Sequence, residues 1–101
     1  MEIEKTKLMN DLIDLYGMLL TENQLMIMEY YYMDDLSLSE IGENLNITRS
    51  AVYDTVKKST NILLEYENKL KLLEKEIKKN DLLERANKLS KEELIKEIEK
   101  L

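Results

Sequence analysis

The chain has 101 residues and a formal net charge of −6, with no cysteine, no histidine, no proline and two glycines. Without cysteine there are no disulfides or thiolate metal sites, and without histidine the commonest general base is missing, so the composition argues against an enzyme and implies neither a metal nor a cofactor. Lys, Glu and Leu dominate and helix breakers are nearly absent, which predicts an all-α protein with room for one small domain and a helical extension.

The N-terminus reads Met1-Glu2-Ile3-Glu4, acidic where a secretory signal is basic. No apolar run approaches the ~18 residues of a membrane-spanning helix, so no membrane insertion is expected and the predicted location is the cytoplasm. Leu8, Leu12, Leu15 and Leu19 recur at heptad-like spacing and predict a first helix over residues 4–19 with a leucine stripe. Gly17 and Thr21 punctuate its end. Thr21 with Gln24 forms a capping-box pattern, which starts a second helix over residues 22–33. That helix is apolar nearly all round, so it is expected to be buried on several sides. Tyr30, Tyr31 and Tyr32 cannot share one face. Their neighbours Glu29, Asp34 and Asp35 are acidic, which favours core and core rim over a nucleic-acid stacking platform.

Residues 37–58, SLSEIGENLNITRSAVYDTVKK, read as a short helix, a tight turn and a second helix. This is the layout of a helix-turn-helix, whose second helix can enter a DNA major groove. Ser37 or Ser39 caps the first helix, and Ile41 and Leu45 share its inner face. Asn46 tolerates the left-handed backbone a turn requires, and Ile47 plugs the angle between the helices. Thr48 caps the second helix, whose inward stripe is Ala51, Val52 and Val56. Arg49, Ser50, Tyr53, Asp54 and Lys57 are left outward. The same pattern also fits a plain helical hairpin in a bundle.

No breaker follows until Asn80-Asp81, although the weak helix formers Ser59-Thr60-Asn61 could bend the chain. Unbroken, residues 49–79 form one rod of roughly 45 Å. Leu63, Tyr66, Leu70, Leu73 and Ile77 repeat at steps of three and four, a coiled-coil seam flanked by Lys and Glu. Such a seam needs a partner, either the Leu8, Leu12, Leu15 and Leu19 stripe of the same chain or the same rod in a second molecule; a small helical core leaves stripes to cover, so both contacts together are expected, in a homodimer with these five residues at its interface. Ser90 with Glu93 starts a last helix carrying Leu94, Ile98 and Leu101. The chain thus divides into residues 1–79, a helix-turn-helix domain with a long coiled-coil-like helix, and residues 80–101, a C-terminal helical extension.

Several segments together carry a family likeness: Leu20-Thr21-Glu22-Asn23-Gln24, Tyr31-Tyr32, Asp34-Asp35, Ser37-Leu38-Ser39-Glu40-Ile41 and Thr48-Arg49-Ser50-Ala51-Val52-Tyr53-Asp54, followed by Lys57-Lys58. On these residues the chain resembles the YlxM family of small bacterial proteins, and its motif is similar to the helix-turn-helix of sigma-factor region 4. The likeness covers roughly residues 5–75. It implies a sigma region 4-like helical bundle, a regulatory role and a link to the signal recognition particle pathway. Ser50 stands where glutamine is usual and Gly42 where alanine is usual. Glycine there weakens the first helix of the motif by about 1 kcal/mol relative to alanine.

Charge is polarised along the chain. Residues 1–45 carry ten acidic side chains against Lys5 and Lys7, whereas residues 46–101 carry eleven against thirteen basic ones. The motif offers Arg49, Lys57 and Lys58 against Asp54, enough for a few phosphates and equally consistent with an ordinary solvated helix face. Two functions follow. In the first, a DNA-binding regulator, Thr48 and the helix N-terminus hold a phosphate, Arg49, Ser50 and Tyr53 approach base edges, and Lys57 and Lys58 track the backbone. In the second, which rests on the resemblance, the motif is reused as a non-enzymatic protein-binding module for signal recognition particle proteins, bound through the tyrosine helix or the acidic front half.

Overall fold

Hydroxyl side chains start the helices. Thr21 Oγ1 accepts from the Gln24 amide while Gln24 Oε1 accepts from the Thr21 amide, both at 3.1 Å. Ser37 and Glu40 form the same reciprocal box at 3.1 and 3.0 Å. Thr48 Oγ1 accepts from the Ala51 amide at 3.0 Å, and Ser90 Oγ from the Glu93 amide at 3.2 Å. Each bond satisfies an amide that the helix cannot, at about 0.5–2 kcal/mol per cap. The computed structural model describes residues 3–101, so the acidic opening Met1-Glu2 lies outside the described residues. Its helices are α1 (Ile3–Tyr16), α2 (Glu22–Tyr32), α3 (Leu38–Leu45), α4 (Arg49–Leu70), α5 (Leu72–Arg85) and α6 (Lys91–Glu99), with 3-10 turns at Gly17–Leu19 and Ala86–Lys88. The all-α class stands: no strand occurs among the described residues.

The chain falls into two compact units, Met1–Leu70 and Lys71–Leu101. In the first, α4 packs against α1, α2 and α3. The core comprises Met9, Leu12, Ile13 and Tyr16 of α1, Ile27, Met28 and Tyr32 of α2, Ile41 of α3, and Val52, Val56 and Leu63 of α4. The buried face of α1 is therefore offset from the leucine stripe: Leu12 is inside, but Leu8 and Leu19 are exposed. Tyr16 sets that offset. Its ring stacks on Tyr66 at 5.9 Å, and its hydroxyl donates to Glu67 Oε1 at 2.7 Å. With its polar tip paired, a tyrosine can be wholly buried and bring its large apolar body into the core.

Two expectations about the long helix are corrected. First, residues 49–79 are not one rod. α4 runs uninterrupted through Ser59-Thr60-Asn61, with Ser59 fully buried, and stops at Leu70. Lys71 then takes a left-handed conformation, φ 56° and ψ 33°, which ends the α-helical hydrogen-bond ladder. Asn80 and Asp81, read as the break, lie inside α5. The boundary between the compact units accordingly falls at Leu70–Lys71 and not after residue 79. Second, the five-residue seam is not a single exposed stripe. Leu63 is fully buried in the core of its own unit and Tyr66 is stacked on Tyr16, because the side of α4 that carries them faces α1. Leu73 is also buried, whereas Leu70 and Ile77 are exposed.

In the second unit α5 contacts α6, and Arg85 links them, pairing with Asp81 at 3.1 Å and Glu97 at 3.8 Å. Its buried apolar residues are Leu73 and Leu82.

Candidate nucleic-acid interface

The interface is built on the α3–α4 turn. Asn46 closes α3 in the left-handed region, φ 57° and ψ 44°, as its short polar side chain allows. The Ile47 amide donates back to the Gly42 carbonyl at 2.9 Å. Gly42 is itself buried, and a Cβ placed on it would lie 2.7 Å from the Ile47 carbonyl oxygen. The residue read from sequence as a weak point in α3 is therefore the one that lets the turn close. Ile47, expected to plug the angle, is partly exposed at 39 %. Ile41 of α3 and Val52 of α4 are both fully buried.

The turn sets how α4 is presented. Val52 and Val56 are buried and Ala51 half-buried, so the opposite face is free. Thr48, Arg49, Ser50, Tyr53, Asp54, Lys57 and Lys58 are all exposed. Arg49, Ser50, Tyr53 and Lys57 fall on one side of the helix by their spacing. The Thr48 oxygen accepts the Ala51 amide, leaving its O–H free to donate. The amides of Arg49 and Ser50, in the first turn, have no acceptor within the helix and carry its partial positive charge. Together these groups offer donors and cations at one helix end, with the Asp54 carboxylate as the opposing charge.

Upstream, the Ser37 amide and then its hydroxyl hold the Glu40 carboxyl below the usual carboxylate range, so this box is strongest with Glu40 ionised. Lys5 of α1 and Tyr31 of α2 border a cleft beside Tyr53 and Lys57. Nothing local links either of them to residues some twenty to fifty positions on, so sequence spacing does not join them to the motif. Among the described residues, no group of three or more acidic side chains could hold a metal ion, and no helix is long and apolar enough to cross a membrane.

A left-handed asparagine, a buried glycine and a capped second helix with its polar face exposed define a helix-turn-helix protein. The chain belongs to the UPF0122 family, described as "Putative helix-turn-helix protein, YlxM / p13 like", which it matches over residues 3–101. The match extends past the segment that carries the motif to the end of the second unit. Among its relatives is a UPF0122 protein of Lactococcus lactis subsp. cremoris (strain MG1363), 49% identical over 88 residues, covering 87% of this chain and 79% of the relative. A UPF0122 protein of Shouchella clausii (strain KSM-K16) is 48% identical over 86 residues, covering 85% and 79%. Another, from Streptococcus gordonii, is 44% identical over 98 residues, covering 96% and 89%.

Proposed function

We propose that this protein is a non-enzymatic cytoplasmic regulator that binds duplex DNA through α4, acting as a homodimer. The observation that supports this most is the exposure of Thr48, Arg49, Ser50 and Tyr53, at and just beyond a capped helix N-terminus. A phosphate docks on the Thr48 hydroxyl and the free amides. Arg49 reads a guanine edge, where its planar fork makes two bonds. Ser50 and Tyr53 approach neighbouring bases, and Lys57 and Lys58 hold the backbone. Of the expected dimer residues, Leu70 and Ile77 are the exposed ones and would meet the second copy.

The acidic balance of residues 1–45 favours a second reading, an accessory module that binds signal recognition particle proteins without DNA. One titration separates the two. The purified chain is mixed with duplex DNA of mixed sequence, and separately with signal recognition particle proteins, at about 50 and 200 mM salt. DNA binding that weakens steeply at the higher salt, and by about 1–3 kcal/mol in Arg49→Ala for a preferred site, supports the first reading. No DNA binding even at the lower salt removes it.

A further inference from the structure

The cleft beside Tyr53 has a volume of about 210 Å³ and draws its walls from α1, α2, α3 and α4. Two of its properties converge. It brings together Lys5 and Lys57 with no carboxylate among the residues that line it. Tyr31 and Tyr53 give it aromatic walls, and Tyr31 is braced edge-on against Tyr32 with ring centroids 4.9 Å apart. Thr60 and Asn61 complete its lining on α4.

The geometry points to a small-molecule site for a monocyclic aromatic carboxylate. The cavity is smaller than the roughly 300–1,000 Å³ of drug-sized ligand sites, so it admits one ring and one charged group. The ring packs between the tyrosines, where offset or edge contacts are favourable. The carboxylate lies toward the two ammonium groups, which suit an anion in a partly desolvated cleft. Tyr53 and Lys57 belong both to this cleft and to the outer face of α4, so an occupant competes with DNA for them. That coupling rests on the DNA-binding reading; the site itself does not.

The test uses the full-length protein and 4-hydroxybenzoate as probe, followed by the backbone amide resonances of Tyr31, Tyr53 and Thr60. Saturable shifts with a midpoint near or below about 1 mM are expected. The neutral analogue 4-hydroxybenzyl alcohol should bind at least about tenfold more weakly, because it lacks the charge-assisted contacts. Lys5→Gln removes one ammonium and Tyr31→Leu one aromatic wall, and both leave the α4 residues proposed to contact DNA unchanged. Each should weaken the probe at least about fivefold. No saturable shift up to about 10 mM overturns the site. So does equal binding of the neutral alcohol, or full affinity in both variants. Added duplex DNA should raise the probe's midpoint. Probe binding that is indifferent to bound DNA leaves the site in place and overturns the coupling, whereas the DNA titration by itself decides whether DNA is bound at all.

Discussion

The two units are written in the same amphipathic alphabet but bury it very differently. In the first unit, eleven apolar side chains from four helices are buried together around α4. The second buries Leu73 and Leu82 and leaves Ile77, Leu83, Ile95, Ile98 and Leu101 exposed. Periodicity alone does not produce a core. A stripe becomes a core when several helices meet over it, and a 31-residue unit built on two helices falls below the size at which burial outweighs chain entropy. Stability should therefore be concentrated in the first unit.

The largest test of this contrast removes Tyr16. Tyr16→Ala empties a fully buried site, so it should destabilise by about 3–5 kcal/mol in thermal or denaturant unfolding. Tyr16→Phe keeps the ring and should cost about 1 kcal/mol. By contrast, Ile77→Ala in the second unit, where the side chain is 60 % exposed, should shift the unfolding midpoint little. An Ile77→Ala effect as large as that of Tyr16→Ala would mean the units are not unequal after all.

The next effect is regional. Hydrogen exchange should be slowest in the central amides of α4 and several orders of magnitude faster in α5 and α6, where local opening costs less. A chain ending at Leu70 should keep a cooperative unfolding transition, while a peptide of residues 71–101 should be only marginally helical in water. Equal protection across both units would break the comparison.

Gly42→Ala tests the turn that orients α4. Helix propensity alone favours alanine by about 1 kcal/mol. The added Cβ meets backbone rather than a movable side chain, so the net effect should be destabilising by about 1–3 kcal/mol. A rise in the melting temperature would show that the turn relaxes freely.

The smallest effect is acid-linked. Glu40 has a folded pKa below its ordinary value, so its contribution is full above the ordinary carboxylate range and is lost as pH falls through the lowered value. Glu40→Gln keeps the box without the titration. The difference in melting temperature between the two proteins should narrow or change sign between about pH 6 and pH 3, and a difference independent of pH would rule the linkage out.

Much of the helix-turn-helix is legible in the sequence because its signals are local. Thr48, Ser37 and Asn46 act within three or four residues of themselves, and the exposed set of α4 follows from helical spacing once Val52 and Val56 are inside. What escapes is decided by contacts distant in the chain. The buried face of α1 turns on Tyr16 meeting Tyr66 and Glu67, which a leucine count cannot see. Gly42 looks like a flaw until the Ile47 carbonyl is placed against it. Lys71 has the composition of a helix interior, and lysine seldom occupies the left-handed region, so no pattern announces the break. Lys5 and Tyr31 join the recognition helix only in three dimensions.

The distribution of tyrosine has a practical consequence. The chain contains six tyrosines and neither tryptophan nor phenylalanine, and every tyrosine lies at or before Tyr66, within the first unit. Ultraviolet absorbance above the peptide band, near-UV dichroism and intrinsic fluorescence thus observe that unit alone, while far-UV dichroism sees the helices of both. Two optical probes on one unlabelled sample can follow the units separately, and melting curves that fail to superimpose would record the second unit unfolding in silence.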